Sequence, residues 1–211
     1  MKYLILLVIA LISVVGLHAQ IRELSDQEIE TEIQVAQIYI GDEYSKFVDP
    51  ETSPLPADSI PYHKGLHYFE PMDPKYVVYA SFERLDSGRI FEMKTNTDRL
   101  PVYKDYAIMT FYIDGKEYKL HAYQNLDLIK KEEYKDYLFV PFNDHTNGIE
   151  TYGGGRYLDL REPIGDFIIL NFHRTYNPYC AYNPRYSCVI PPDENRLAVG
   201  IKAGEKVSYT R

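Results

Sequence analysis

The first regular pattern along the chain predicts an amphipathic helix. Apolar residues recur at spacings of three and four from Ile29 to Phe47, which places them on one face of a helix. Ser25 and Glu28 have the spacing of a capping box at its start. The Asp-Pro pair at 49–50 ends the pattern, since proline does not continue a helix. We therefore predict a helix over residues 25–48 that packs against the rest of the chain.

From residue 75 onward the pattern is that of β-strands. The clearest signal is Asp114-Gly115 between two strand-like runs, which is typical of a hairpin closed by a type I′ turn. Eight runs are strand candidates: 76–82, 89–94, 107–113, 116–123, 137–142, 157–160, 166–172 and 197–201. No strand–helix–strand alternation indicates a nucleotide-binding parallel sheet. We predict a mainly β fold, a single antiparallel sandwich or small barrel of about eight strands with an N-terminal amphipathic helix.

The first 19 residues have the pattern of a secretory signal. Lys2 precedes an apolar run from Leu4 to Val15, and the small residue Ala19 stands before Gln20. The run is shorter than the roughly 20 residues that span a bilayer. We predict a signal peptide over 1–19 and one domain over 20–211, with its β core in 75–211. The protein would be exported, periplasmic or extracellular, with no stable membrane anchor after signal removal; an uncleaved N-terminal anchor is the alternative.

Composition narrows the class of partner. The 211 residues contain 23 Lys+Arg and 31 Asp+Glu, a formal charge of -8, with 45% hydrophobic residues. That balance is typical of a globular protein, and its acidic sign argues against a nucleic-acid partner, which needs a basic face. The outlier is aromatic: 21 Tyr, 9 Phe and no Trp.

Two cysteines and two histidines are candidates for covalent or metal chemistry. Cys180 and Cys188 are the only cysteines, and in an exported protein such a pair predicts a disulfide; a reactive thiol or a metal pair is the alternative. His63 and His67 have the spacing of a helical metal site, but the prolines and glycine around them disfavour a helix. We predict no metal site and no cofactor.

Unusual polar and aromatic strings follow residue 139 and carry a resemblance. They read YGGGRYLDL at 152–160, NPYCAYNPRYSC at 177–188, PPDENRL at 191–197 and AGEK at 203–206. Together with Ser-Pro-Leu at 53–55 and GLHYF at 65–69, they closely resemble the DUF1684 family of bacterial proteins. The resemblance covers most of the predicted mature chain. Because no activity is established for that family, the resemblance implies no mechanism.

The same strings suggest a binding face. Six tyrosines lie between residues 152 and 186, and a ring with a hydroxyl suits stacking plus hydrogen bonding. We predict that a small-molecule or glycan ligand binds at a Tyr-, Asn- and Arg-rich face. Its candidate residues are Asp144, Tyr152, Arg156, Tyr157, Tyr176, Asn177, Tyr182, Asn183, Asn195 and Arg196.

Two alternatives remain open for these motifs. In the first, Glu150, Asp159 and Glu194 supply an acid–base pair for a hydrolase, as in glycoside hydrolysis; the common serine and zinc hydrolase motifs are absent. In the second, the motifs are structural, and the arginines and carboxylates brace a long loop. The three glycines at 153–155 could likewise form an anion-binding nest or a tight turn before a strand, and we favour the turn.

Overall fold

A computed structural model describes residues 22–62 and 65–207 of the chain. The predicted signal peptide over 1–19 and His63 of the considered histidine pair lie outside the described residues. None of the helices within the described ranges is both long enough and apolar enough to cross a membrane.

The predicted helix is present as α1 (Asp26–Val48). The capping box is confirmed: the Glu28 amide donates to Ser25 Oγ at 3.3 Å, and the Ser25 amide donates to Glu28 Oε2 at 2.9 Å. Ala36 and Phe47 are buried, whereas Tyr44 at the end of the predicted stripe is exposed. The helix therefore rests on the sheet along part of its apolar face only.

Nine strands follow the helix within the described ranges. They are β1 (His67–Tyr68), β2 (Val77–Arg84), β3 (Ile90–Glu92), β4 (Val102–Ile113), β5 (Lys116–Asn125), β6 (Tyr137–Phe142), β7 (Arg156–Arg161), β8 (Phe167–Asn171) and β9 (Glu205–Lys206). Seven of them form an antiparallel sheet of order β7-β6-β5-β4-β2-β8, with β3 added to β4, while β1 pairs with β9. The sheet curls into a half-barrel, which confirms the predicted mainly β class with an N-terminal helix.

The hairpin prediction is confirmed and one strand prediction is wrong. Asp114 and Gly115 have φ angles of 51° and 74°, as a type I′ turn requires, and Ile113 pairs with Lys116 across it. By contrast, residues 197–201 form no strand. Leu197 and Ile201 are buried in the core, but the Ile201 carbonyl accepts from the Arg156 side chain and not from a neighbouring strand. Apolar spacing there marks a loop anchored in the core.

Two apolar clusters occupy opposite faces of the sheet. The larger one includes Phe111, Leu120 and Phe142, together with Leu158 and Leu160 of β7. A smaller cluster on the other side includes Tyr103, Phe139 and Tyr157, together with Cys188 and Val189 from the segment before residue 190. Because strand side chains alternate between faces, neighbouring residues of β7 belong to different clusters.

Candidate functional site: an aromatic pocket at strand β7

A pocket of about 890 Å³ opens on the side of the smaller cluster. Its walls come from α1, from β6, β7 and β8, and from the segment 174–189. We call it the aromatic pocket, after the rings that line it: Tyr39, Tyr103, Tyr134, Tyr137, Phe139, Tyr157, Tyr176, Tyr179 and Tyr186. Its volume lies within the range of small-molecule sites, roughly 300–1,000 Å³.

The edge of β7 holds one wall in place. Tyr157 and Tyr176 exchange two backbone hydrogen bonds, each of 3.0 Å. The Tyr157 hydroxyl donates to the Val189 carbonyl at 2.6 Å, and its ring meets Phe139 edge-on at 4.7 Å between centroids. The segment 174–189 is therefore attached to the free edge of the sheet, and this attachment shapes the pocket.

Asp159 is the central polar group. The hydroxyls of Tyr137 and Tyr176 both donate to its Oδ1, at 2.7 and 3.0 Å. No hydrogen bond from any residue that the structure describes reaches Oδ2. Burial raises the pKa of the Asp159 carboxyl above its usual range, against the opposing effect of the two hydroxyls. The pocket thus contains a carboxyl group with one free oxygen and a weakened preference for the charged state.

Four basic side chains line the same pocket. Lys46 pairs with Glu43 at 2.6 Å, and Arg161 pairs with Asp136 at 2.7 Å. Arg99 donates to the hydroxyl of Ser187 at 2.9 Å and to its carbonyl at 2.8 Å. Arg174 lies over the ring of Tyr39, 5.5 Å from its centroid.

The cysteines lie beside the pocket, and Cys188 lines it. The structure contains both as free thiols, so the predicted disulfide is not formed in it; instead the Cys188 sulfur accepts a hydrogen bond from the Cys180 amide at 3.1 Å. The hydrogen bond between the two side chains lowers the pKa of Cys180 to about 7 and raises that of Cys188. The Tyr152 hydroxyl approaches the Cys180 sulfur at 3.9 Å.

Several residues predicted to bind ligand are placed in the interior instead. Arg156 and Asp144 form an ion pair of 2.7 Å in which both side chains are fully buried. Arg156 also donates to the carbonyls of Ile201, at 2.8 Å, and Ala203. A guanidinium with this set of partners holds the loop after residue 196 against the sheet.

The asparagines of the motifs also bind the chain itself. Asn195 donates to the carbonyls of His121 and Pro141, at 2.9 and 2.8 Å. Asn183 donates to the Pro54 carbonyl at 3.1 Å. The backbone amide of Asn177 donates to Glu205 Oε2 at 2.8 Å, and its side-chain amide donates to the Lys206 carbonyl at 3.1 Å. These three side chains connect loops that are far apart in the sequence.

The remaining candidates are scattered. Tyr182 packs edge-on against Phe47 of the helix, at 4.8 Å between centroids. Arg196 is mostly exposed and lies 3.6 Å from Asp193. Glu150 pairs with Lys202 at 3.3 Å, and Glu194 pairs with Arg89 at 2.6 Å. Of the thirteen predicted binding and catalytic residues, the pocket brings together Tyr157, Asp159 and Tyr176.

The glycine string acts as a turn before β7. Gly155 has φ +92°, and a Cβ added there would lie 2.7 Å from the Phe142 carbonyl oxygen. Only glycine fits such an approach without a shift of the backbone. This geometry agrees with the turn interpretation of residues 153–155.

The helix contributes pocket residues that are absent from the predicted site. Tyr39, Glu43 and Lys46 all line the pocket, and their spacings of four and three put them on one helical face. That polar and aromatic face, beside the apolar stripe, was the available signal. Arg174 and Tyr137 had no comparable local pattern. Within residues 22–62 and 65–207 no cluster of three or more His, Cys, Asp or Glu is placed to hold a metal ion.

Comparison with known proteins supports the resemblance. A profile of the DUF1684 family, described as "Protein of unknown function", matches residues 62–206. The chain is also similar to the solution NMR structure of an uncharacterized protein from gene locus rrnAC0354 of Haloarcula marismortui, with 33% sequence identity and a TM-score of 0.68, over 89% of this chain and 100% of that one. The likeness therefore extends to an archaeal protein, beyond the bacterial proteins of the sequence analysis. No curated protein gives a significant match.

Proposed function

The chain belongs to the DUF1684 family, and from that premise we propose that it binds a small, hydroxyl-rich ligand of carbohydrate type in the aromatic pocket. The observation that carries this proposal is Asp159, whose Oδ1 is held by two tyrosines while Oδ2 receives no hydrogen bond from the described chain. A carboxylate oxygen accepts hydrogen bonds from sugar hydroxyls.

The rings supply the second half of the recognition. Tyrosine presents a flat apolar surface with a hydroxyl at its edge, which matches a sugar ring with apolar faces and polar edges. Tyr137 and Tyr176 use their hydrogens on Asp159, so their oxygens can still accept from a ligand hydroxyl. The proposed contacts keep Tyr157, Asp159 and Tyr176 from the sequence prediction and add the helical face of Tyr39 and Glu43.

Calorimetric titration with a panel of mono- and disaccharides tests this proposal. We expect a specific ligand at micromolar to millimolar concentration, and Asp159→Asn should weaken its binding about tenfold or more, because a hydrogen bond to a charged acceptor is lost. Asp193→Asn is the matched control, since that carboxylate is 98% exposed at the side chain and does not line the pocket. A panel without any specific ligand, or equal affinity in Asp159→Asn, would contradict the proposal.

A hydrolase is the second candidate, because the pocket contains two carboxyl groups. Burial raises the pKa of Asp159, which suits a general acid, and Glu43 lines the same space. Glu150 and Glu194 do not line the pocket, so they are not candidates for this role. Turnover of chromogenic glycosides, lost in both Asp159→Asn and Glu43→Gln, would favour the enzyme over the binding protein.

We also propose that the protein is exported and binds its ligand in the periplasm or outside the cell. The support is the charged start, the short apolar run and Ala19 in residues 1–19. After expression in a bacterial host with a periplasm, mass spectrometry of the periplasmic fraction and the culture medium should find a chain that begins at Gln20. A full-length chain retained with the cytoplasm would contradict export.

A further inference from the structure

The charge of the aromatic pocket is opposite to that of the whole protein. The chain carries a formal charge of -8, yet four basic side chains line the pocket against two acidic ones. One of the acids, Asp159, has a pKa raised by burial. A pocket that concentrates positive charge in an acidic protein attracts anions.

Arg174 differs from the other basic groups that line this space. Lys46 and Arg161 each have a carboxylate partner, and Arg99 is held by Ser187. The Arg174 side chain, in contrast, has no salt bridge and no hydrogen bond within the described ranges, and its Nε is buried without a partner. An arginine normally finds acceptors for its donors when it is desolvated, so this guanidinium has capacity for a ligand.

Arg174 contacts an aromatic ring of the helix. The guanidinium carbon of Arg174 lies 5.5 Å from the centroid of the Tyr39 ring, and a cation–π contact of this kind uses none of the N–H donors. It is also near enough to Asp159 for its charge to lower the pKa of that carboxyl, although the larger effect of burial prevails. A free cationic fork and a free carboxyl oxygen thus belong to the same pocket.

We infer that Arg174 binds a carboxylate of the ligand, so that the ligand class of the aromatic pocket is acidic carbohydrate, a sugar containing a uronic acid. The inference rests on the proposed function and narrows it. A carboxylate matches the two parallel donors of a guanidinium, while the hydroxyls of the same sugar reach Asp159. A neutral sugar would leave the donors of Arg174 unused, and a cationic amine would be repelled by its positive charge.

Matched ligand pairs separate this inference from the proposed function. Disaccharides that contain glucuronate, galacturonate or mannuronate are titrated into the full mature chain beside their carboxyl-reduced, neutral counterparts. At least one acidic member should bind about tenfold tighter than its neutral counterpart, the effect of one charge-assisted contact. Inorganic phosphate at equal ionic strength is the third arm and should not compete.

Variants of Arg174 assign the effect to this residue. Arg174→Gln should abolish the preference for the acidic member and leave the neutral counterpart bound as in the wild type, whereas Arg174→Lys should keep part of the preference because the charge remains. Arg89→Gln removes one positive charge at an exposed site outside the pocket and should change neither affinity. Melting temperatures show whether each variant is folded, and Arg174→Lys provides the test if Arg174→Gln is not.

The outcomes are distinct. Equal binding of acidic and neutral members, or a preference that survives in Arg174→Gln, overturns the acidic ligand class and leaves the proposed function standing. Competition by phosphate as strong as that of the uronate shows a general anion site and also overturns it. If no sugar of either kind binds, the proposed function fails and the inference fails with it.

Discussion

The charged side chains on the two faces of strand β7 differ in how completely they are hydrogen-bonded. On one face, Arg156 is fully buried against Asp144 and donates to the carbonyls of the 197–205 loop. On the other, one oxygen of Asp159 accepts no hydrogen bond from the described chain. Arg174 lines the same pocket and has no hydrogen-bond or ion-pair partner among the described residues. Arg156 and Asp159 belong to the same nine-residue string, YGGGRYLDL. A polar motif can therefore place a fully buried interior ion pair on one face of a strand and an incompletely hydrogen-bonded pocket residue on the other.

The largest expected effect comes from a substitution on the face of β7 that carries Arg156, which we call the bracing face. Arg156→Met leaves Asp144 buried without its cation, and we expect a loss of about 3–5 kcal/mol in the free energy of unfolding, or a melting temperature lower by about 6–20 °C. Asp159→Asn should change the melting temperature little, because the oxygen of the isosteric amide can still accept from the hydroxyls of Tyr137 and Tyr176. Differential scanning calorimetry of both variants checks the contrast. A stable Arg156→Met would show that the two faces do not differ in this way.

A glycine substitution should disturb both faces at once. Gly155 sets the direction in which β7 starts, and a Cβ there would collide with the Phe142 carbonyl oxygen at 2.7 Å in addition to the strain of φ +92°. We expect Gly155→Ala to cost about 2–4 kcal/mol. Gly153→Ala is the control, since the nearest atom to its added Cβ is 3.7 Å away, and it should cost about 0.5 kcal/mol or less. Equal melting temperatures would contradict the turn interpretation.

Glu205 is the exception to the comparison, because it is an incompletely satisfied carboxyl on the bracing side. It is 2% exposed, its Oε1 has no hydrogen-bond partner within the described chain, and burial raises its pKa to about 8. A raised pKa means that the folded state binds more protons than the unfolded state. The contribution of Glu205 to the free energy of unfolding is therefore fully present below about pH 4.5 and is lost as the pH rises to about 8.

Glu205→Gln should remove that loss. We expect the free energy of unfolding of the variant to exceed that of the wild type by about 2–3 kcal/mol at pH 6.5 and to differ little at pH 4, since the amide mimics the protonated acid. Urea unfolding at both pH values measures the difference. Glu117→Gln is the control, as its side chain is half exposed. A wild type as stable at pH 9 as at pH 5 would mean that Glu205 is ionised and compensated.

The sequence predicted the parts of this arrangement that depend on neighbours in the chain. The capping box at Ser25 and the turn at Asp114-Gly115 are determined within four residues, so local pattern finds them. The pocket is not local: Tyr39 of the helix meets Arg174 across more than 130 positions. Arg156 and Asp159 are equally polar in sequence, and only tertiary packing decides which one finds buried partners. For that reason half of the ten predicted binding residues are buried contacts within the protein: Asp144, Arg156, Asn177, Asn183 and Asn195.

The smallest expected effect concerns the two tyrosines that donate to Asp159 on the pocket side of β7. Tyr137 and Tyr176 each donate a hydroxyl to Asp159, and each lowers the pKa of that carboxyl against the effect of burial. Replacing either tyrosine by Phe removes one donor, so the pKa of Asp159 should rise further while unfolding changes by about 1 kcal/mol or less. Carbon-13 NMR titration of the carboxyl measures the shift. Tyr112→Phe, whose hydroxyl donates to Glu117, should leave it unchanged. An unaltered Asp159 titration in both pocket variants would mean that the tyrosines do not hold this carboxyl, and that the contrast between the two faces of β7 rests on Arg156 alone.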